Sequence, residues 1–355
     1  MHDSTKDQVL SASEELNESD RSPKRKSPVG MAIRATVSIA LAAFVYFTVD
    51  RKGLLHSLSS VSLRGMALIF VLYTFGQLLS AMKWRVFVDC VGIHRSRIQI
   101  LRAYFFGMFV NVFGFGTVGG DVARGLLLNP PKGQRAGALA TVVADRVHGL
   151  VVLLTIGTVT LALIRPEALG HWTQLMLLGS VGGLTALLCG WWVGPQLLVK
   201  FFPQGHKWSD AILRIEQAFP RHPAPFFKAT LISALFHTIQ LFMHVLIARE
   251  LGAPISASYI FATVPFVNIV ASLPISLFNG LGVREGMYCL LFIPNGVPQE
   301  MAVAFGAIWL FTVTVISSLG ILFLTPDMKR IVRLQGRNDE TDSSEPARAP
   351  QRAVG

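Results

Sequence analysis

Charged side chains interrupt the apolar part of this 355-residue sequence. A charge at the centre of a membrane helix costs about 2.5–3.5 kcal/mol, so such residues usually pair with one another or face a polar cavity. Three are basic and three acidic, which predicts a buried network of ion pairs. Arg124 and Arg284 lie in glycine-rich segments, where exposed amides and a guanidinium group favour binding of an anion such as a phosphate. The six are Asp121, Arg124, Asp145, Arg146, Arg284 and Glu285.

The apolar segment 226–248 carries a second set of polar groups. Spacings of four, three and four residues place them on one face of an α-helix. Such a stripe is typical of the wall of a hydrated groove, which His148 is also expected to face because it follows Asp145 by three residues. Two histidines two turns apart, with no carboxylate between them, do not favour a metal site. The stripe consists of Ser233, His237, Gln240 and His244.

The composition excludes a soluble globular protein. Hydrophobic residues make up 52% of the chain and charged residues 15%, against about a quarter charged in soluble proteins. The sequence therefore predicts an integral membrane protein whose membrane domain covers 29–328. Polar tails at 1–28 and 329–355 are expected to be disordered. The three cysteines show no spacing typical of disulfide frameworks or zinc sites, and we expect no cofactor.

The length of the apolar segments predicts an all-α polytopic helical bundle. Six stretches are long or nearly long enough to cross a bilayer, which takes about 20 apolar residues. Regions 98–131 and 256–294 each show a long arm, a glycine-rich bend, a short arm and a proline stop, so we predict two re-entrant helical hairpins. Segment 196–222 is predicted to be an interfacial amphipathic helix. The six stretches are 31–49, 65–82, 136–164, 173–193, 226–248 and 301–325.

The distribution of basic residues predicts the orientation. With both termini in the cytoplasm, most of the 32 Lys and Arg residues, including Lys83, lie on the cytoplasmic side. The first hairpin then enters from the cytoplasm and the second from the opposite side. The bends 119–125 and 280–286 are also alike in sequence, which favours an inverted-repeat transporter with its site between the repeats. We expect both hairpin arginines to meet there in one hydrated pocket.

One motif is interpreted as a coincidence. Residues 114–119 satisfy the dinucleotide pattern GxGxxG, which has meaning only between a strand and a helix. Here it follows an apolar helix. Neither a nucleotide cofactor nor a nucleic-acid partner is predicted.

The two hairpin regions resemble the lysylphosphatidylglycerol synthase transmembrane-region family. These flippase-like proteins are similar to the lipid-translocating half of the bacterial multiple peptide resistance factor, and the resemblance spans about residues 30–325. It implies a lipid-headgroup cavity between re-entrant segments. It also implies that the protein lies in the inner membrane of a bacterium. Bifunctional members add a soluble aminoacyl-transferase domain, whereas here a polar tail follows Asp327, so lysyl transfer is not expected. The motifs that carry the resemblance are 111–124, 136–150, 272–276, 279–286 and 296–298.

Two functions fit these patterns. The first is a flippase or a transporter of lipid-linked intermediates that recognises an anionic or phosphate-bearing headgroup, with membrane lipids, another copy of the chain or a separate lipid-modifying enzyme as partners. The alternative is an integral-membrane enzyme or accessory subunit that acts on lipid-linked glycans. A structural scaffold would leave the polar stripe unexplained. The candidate substrate-binding residues are Asn111, Asp121, Arg124, Asp145, Arg146, His237, Gln240, His244, Asn279, Arg284 and Glu285.

Overall fold

The computed structural model describes residues 49–113, 117–131, 134–201, 209–273 and 280–323, which contain α-helices, short 3₁₀ turns and no strand. The predicted span 31–49 therefore lies outside the described residues except for its last position, as do both tails. The helices are α1 (Arg51–Ser59), α2 (Leu63–Cys90), α3 (Arg97–Phe113), α4 (Thr117–Leu127), α5 (Arg135–Ile164), α6 (Trp172–Phe201), α7 (Ser209–Gln217), α8 (Pro223–Glu250), α9 (Ala257–Ser272), α10 (Val283–Phe292) and α11 (Gln299–Ser318).

Five helices are long and apolar enough to cross a membrane: α2, α5, α6, α8 and α11 with its 3₁₀ extension to Phe323. They confirm the predicted all-α polytopic fold, and the chain is a multi-pass membrane protein. The predicted interfacial helix 196–222 needs correction, because residues 196–201 continue the apolar helix α6. Among the described residues of that segment, α7 forms a separate short helix.

Helices α2 and α8 form an antiparallel pair at the centre of the bundle. The carboxylate of Glu250, at the end of α8, accepts hydrogen bonds from the backbone N–H and the hydroxyl of Ser62, which caps α2. Further along, a Cβ added at Gly76 would lie 2.9 Å from Nε2 of Gln240. Small residues thus let the two backbones approach closely, as is usual in membrane helix pairs.

The regions 98–131 and 256–294 both fold back on themselves. In the first hairpin, Gly107 of α3 lies against Arg124 of α4, and a Cβ on Gly120 would overlap the carbonyl oxygen of Gly107. In the second hairpin, the Tyr259 hydroxyl of α9 donates to the carbonyl of Leu291 at 2.5 Å. The longest arm, α3, has 17 residues, or about 25 Å, so no arm alone reaches across a core about 30 Å thick.

The two hairpins open toward opposite ends of the bundle. Arg95 follows the end of α2 and donates to the carbonyl oxygens of Leu128 and Asn129, just after α4. The first hairpin therefore opens where α2 ends. Helix α9 follows α8 after a short loop, and Glu250 at that end is bonded to the start of α2. The second hairpin opens there, at the other end.

The two bends differ in local structure although their sequences are alike. Residues 119–125 lie inside α4. In the second hairpin, Gly280 and Gly282 precede α10 with φ of 93° and 81°, values in the left-handed region that favours glycine. The sequence likeness therefore does not reflect a repeated backbone conformation, and an inverted repeat stays a prediction.

Candidate functional site

Five charged side chains form an alternating chain where α2, α4 and α5 meet, which we call the charge chain. Nζ of Lys83 lies 3.0 Å from Oδ1 of Asp145, and Nη2 of Arg124 lies 3.1 Å from Oδ2 of the same carboxylate. Nε of Arg124 is 3.4 Å from Asp121, which also accepts two hydrogen bonds from Arg146 at 3.0 and 3.1 Å. The order is therefore Lys83, Asp145, Arg124, Asp121, Arg146.

The charge chain runs from the interior of the bundle toward its surface. The side chains of Lys83, Arg124 and Asp145 are each 5% exposed, Asp121 is 21% exposed and Arg146 is 48% exposed. Three cations and two carboxylates leave one net positive charge if all are ionised. Asp121, Arg124, Asp145 and Arg146 thus form the expected ion pairs, and Arg146 is the cation at the exposed end.

Lys83 is the member of the charge chain that the sequence analysis does not include among the paired charges. It is buried, and it also donates to the backbone carbonyl of Asp145 at 3.0 Å. The predicted apolar stretch ends at residue 82, whereas α2 continues to Cys90. Trp84 and Phe87 continue its buried face at helical spacing, and this pattern was the available signal.

Aromatic rings on α2 and α3 cover the Arg124 guanidinium. Its centre lies 5.0 Å from the ring centroid of Trp84 and 5.4 Å from that of Tyr104, both suitable for cation–π attraction. The Tyr104 hydroxyl lies 2.8 Å from Oγ of Ser80 and 3.1 Å from Oε1 of Gln77. These contacts extend the polar environment of Arg124 along α2.

Arg284 occupies a different environment in the second hairpin. It is 5% exposed, donates from Nη1 to Oδ1 of Asn268 at 2.6 Å, and its guanidinium stacks 3.4 Å from the ring centroid of Trp309. Its Nε is buried without a hydrogen-bond partner. Within the described part of the chain, no carboxylate lies within 4 Å of it to form a salt bridge. Arg284 is thus a buried cation with no carboxylate at ion-pair distance among the described residues.

Glu285 forms no ion pair with Arg284 within 4 Å. Its carboxylate accepts the backbone N–H of Gly282 at 2.6 Å and so caps the start of α10. The sequence predicted that both neighbours take partners from other elements. Arg284 does so, whereas the hydrogen-bond partner of Glu285 lies in the turn just before its own helix.

The polar stripe of α8 faces the protein interior. Exposure is 0% for Ser233 and His244, 9% for His237 and 8% for Gln240, so the stripe does not line an open groove in this structure. His237 lies 3.1 Å from the carbonyl of Gly149 on α5. Ser233 Oγ and Gln240 Nε2 are buried without partners. The stripe therefore retains unused hydrogen-bonding capacity at a packed interface.

Two histidines connect this stripe to its surroundings. Nε2 of His148 lies 3.0 Å from the hydroxyl of Thr230, so His148 does face α8 as expected. Nε2 of His244 lies 3.0 Å from the hydroxyl of Tyr288 on α10, and its Nδ1 lies 2.6 Å from the carbonyl of Gln240. The α8 stripe thus contacts both α5 and the second hairpin.

The two hairpin arginines do not share the expected single pocket. Arg124 lies over Trp84, while Arg284 lies near Tyr73, which is eleven residues earlier on α2 and so about 16 Å away along that helix. Buried polar residues occupy the α2 face between these two levels. We call this face the polar track; it consists of Tyr73, Gln77 and Ser80, with the α8 stripe packed beside it.

The two predicted asparagines have different outcomes. Asn111 lies half-buried on α3 beside Gly120, and its Oδ1 is buried without a partner. Asn279 lies outside the described residues. Among the residues that the structure does describe, no three His, Cys, Asp or Glu side chains are placed to hold a metal ion.

Comparison with known protein families gives a match over most of the chain. A family model described as the transmembrane region of lysylphosphatidylglycerol synthase matches residues 31–320. The matched range contains the charge chain, both hairpins and the polar track. A search of curated proteins finds no similar protein.

Proposed function

Because the chain belongs to the lysylphosphatidylglycerol synthase transmembrane-region family and handles lipids in a membrane, we propose that it translocates a lipid with an anionic headgroup. The cargo is a phospholipid or a lipid-linked intermediate that carries a phosphate. The observation that carries this proposal is the environment of Arg284, a buried guanidinium that lacks a described carboxylate partner.

A buried charge without a counter-charge is expensive, by several kcal/mol, unless another charge or polar group compensates it. Asn268 satisfies one N–H of Arg284, and the Trp309 ring holds the guanidinium plane in place. Nε remains free to donate. A phosphate oxygen accepts such hydrogen bonds well, because guanidinium and phosphate match in geometry and charge. The lipid phosphate is therefore the group that Arg284 binds.

The charge chain supplies the second contact point. Its net positive charge and its half-exposed end at Arg146 attract an anionic headgroup. Arg124 is already paired with two carboxylates, so its main task is to hold α4 against α5. Arg146 and Arg284 thus take the roles of entry and inner sites.

The opposed hairpins and the polar track define the path. We place both hairpins as re-entrant segments, because their arms are shorter than a bilayer core and they open toward opposite sides. The track between α2 and α8 is closed here, and its unpartnered Ser233 and Gln240 gain partners when the headgroup and water enter. The acyl tails stay in the bilayer. In this arrangement both termini lie on the cytoplasmic side of a bacterial inner membrane, as the distribution of basic residues predicts.

The test is headgroup accessibility in proteoliposomes that contain the reconstituted full chain. Fluorescent phosphatidylglycerol, phosphatidylcholine and a polyprenyl phosphate are each assayed by quenching from outside. We expect faster exchange of the anionic lipids and a loss of about tenfold or more in Arg284→Gln, because a charge-assisted hydrogen bond is worth about 1.5–3 kcal/mol. Arg249→Gln, at an exposed position in the last turn of α8, is the matched control and should leave exchange unchanged.

Equal exchange of all lipids, or an Arg284→Gln variant as active as the control, would refute the proposal. Chemical conversion of a lipid-linked glycan by the purified chain would instead support the enzyme alternative.

A further inference from the structure

A large apolar cavity lies away from the polar track, between α5, α6 and α7. Its volume is about 750 Å³, well within the range of ligand-binding cavities. Every lining residue is apolar. They are Ala136, Leu139, Ala140, Val143, Gly190, Gly194, Pro195, Leu197, Leu198, Phe201, Ile215 and Phe219.

Glycines of α6 create much of this space. A Cβ added at Gly190 or Gly194 would meet no atom within 4 Å, so larger residues fit there without a clash. Helix α6 is also the least buried of the five apolar helices, so the cavity lies on a side of the bundle that faces lipid. The natural occupant of an apolar space on such a surface is a hydrocarbon chain.

Basic residues flank the lining residues of the cavity in the sequence, at one end of the bundle. Arg135, Lys200 and Arg214 each directly neighbour a lining residue in the sequence. Arg135 and Lys200 are exposed, and within the described residues none of the three has a carboxylate within 4 Å. The nearby Glu216 is paired with Arg221 instead. Basic groups at a membrane surface attract anionic lipids.

The cavity faces away from the buried part of the charge chain. Val143 lines it, and Asp145 of the charge chain lies two residues later, about 200° around the same helix. A lipid in the cavity therefore contacts the opposite face of α5 from Asp145. This separation makes it a bound partner rather than the cargo.

We propose that the cavity binds one acyl chain of an anionic glycerophospholipid, whose phosphate is held by Arg135, Lys200 and Arg214. The occupant is a resident lipid that joins α7 to the two longer helices. This inference does not depend on translocation, because its test measures the labelling of the cavity by a bound lipid and not the exchange of lipid between leaflets.

Photo-crosslinking tests the acyl-chain part of the proposal. The full chain is reconstituted with a trace of phosphatidylglycerol that carries a diazirine at the end of one acyl chain, and labelled peptides are mapped by mass spectrometry. We expect labels in 136–143 and 190–201. Gly194→Trp fills the cavity and should abolish these labels, whereas Gly182→Trp, on the same helix where a Cβ also meets open space, should keep them. Gly190→Leu provides a second filling variant if Gly194→Trp does not fold.

The headgroup preference of the labelling tests whether the basic residues bind the lipid phosphate. Labelling by the anionic probe should exceed labelling by the same probe built on phosphatidylcholine, and each of Arg135→Gln and Arg214→Gln should reduce that preference about fivefold. Unchanged labelling in both filling variants would overturn the proposal. Equal labelling by the two probes would overturn the anionic assignment, and crosslinks from this face to a second copy of the chain would identify the cavity as an interface instead.

Discussion

Replacing Asp145 with asparagine is expected to destabilise the protein strongly. Its carboxylate lies 3.0 Å from Nζ of Lys83 and 3.1 Å from Nη2 of Arg124, and all three side chains are 5% exposed. The neutral amide leaves two buried cations without their shared counter-charge. Breaking a buried ion pair in this way costs about 3–5 kcal/mol, and two pairs are lost here, so we expect a decrease in unfolding free energy at the upper end of that range.

The measurement is an unfolding titration with sodium dodecyl sulfate of the protein in phospholipid–detergent mixed micelles, followed by tryptophan fluorescence. Lys83→Met in the Asp145→Asn background removes one of the two orphaned cations. The double variant should therefore be more stable than the sum of the single effects predicts, by about 1–3 kcal/mol. Arg146→Gln is the matched control: its side chain is 48% exposed, and we expect a change of no more than about 1 kcal/mol.

Two results would refute this reasoning. One is an Asp145→Asn variant within about 1 kcal/mol of the wild type, which would mean that the carboxylate contributes no net stabilisation. The other is additive behaviour of the Lys83 and Asp145 substitutions, which would mean that the two groups do not interact.

Two further predictions concern the hairpins. Gly120→Ala should cost about 1–3 kcal/mol of unfolding free energy, because its Cβ overlaps the carbonyl oxygen of Gly107. Gly119→Ala, whose Cβ has only an ordinary contact, should change stability little. The same titration measures both variants, and equal effects would contradict the close packing of the hairpin. Tyr288→Phe should lower the unfolding free energy by about 1–3 kcal/mol, because Nε2 of His244 loses its hydrogen-bond partner in a buried site. A wild-type unfolding midpoint for this variant would show that the bond does not stabilise α10.

Much of the fold could be predicted because membrane helices are recognisable in a sequence as long apolar stretches. The stretches 65–82, 136–164, 173–193 and 226–248 lie in long apolar helices of the structure, and 301–325 does so up to Phe323, the last residue described there. Where polarity was used to end a helix, the boundary was wrong. Lys83 was excluded from α2, yet the helix continues for two turns beyond residue 82, because Asp145 compensates the lysine charge inside the protein.

The candidate site was predicted only in part, because pairing depends on distance in space. Asp121 and Arg124 share a helix face at a spacing of three, and their contact follows from the sequence alone. Arg284 and Glu285 look equally paired in sequence, but the carboxylate caps the helix and the guanidinium stacks on Trp309. No local pattern indicates that ring, because it is contributed by α11.

Composition and the lengths of the apolar segments are enough to show that this chain is a membrane protein. They also show that two of its segments are too short and too rich in glycine to cross a bilayer alone. The sequence also determined which charges must find partners, since a charge that is costly in an apolar environment is visible from composition and spacing. The partner of each charge is known only from the packing of the helices. The tertiary structure set Lys83 against Asp145, left Arg284 without a described carboxylate, and placed the two hairpin arginines at different levels of α2, because these outcomes depend on how distant helices pack.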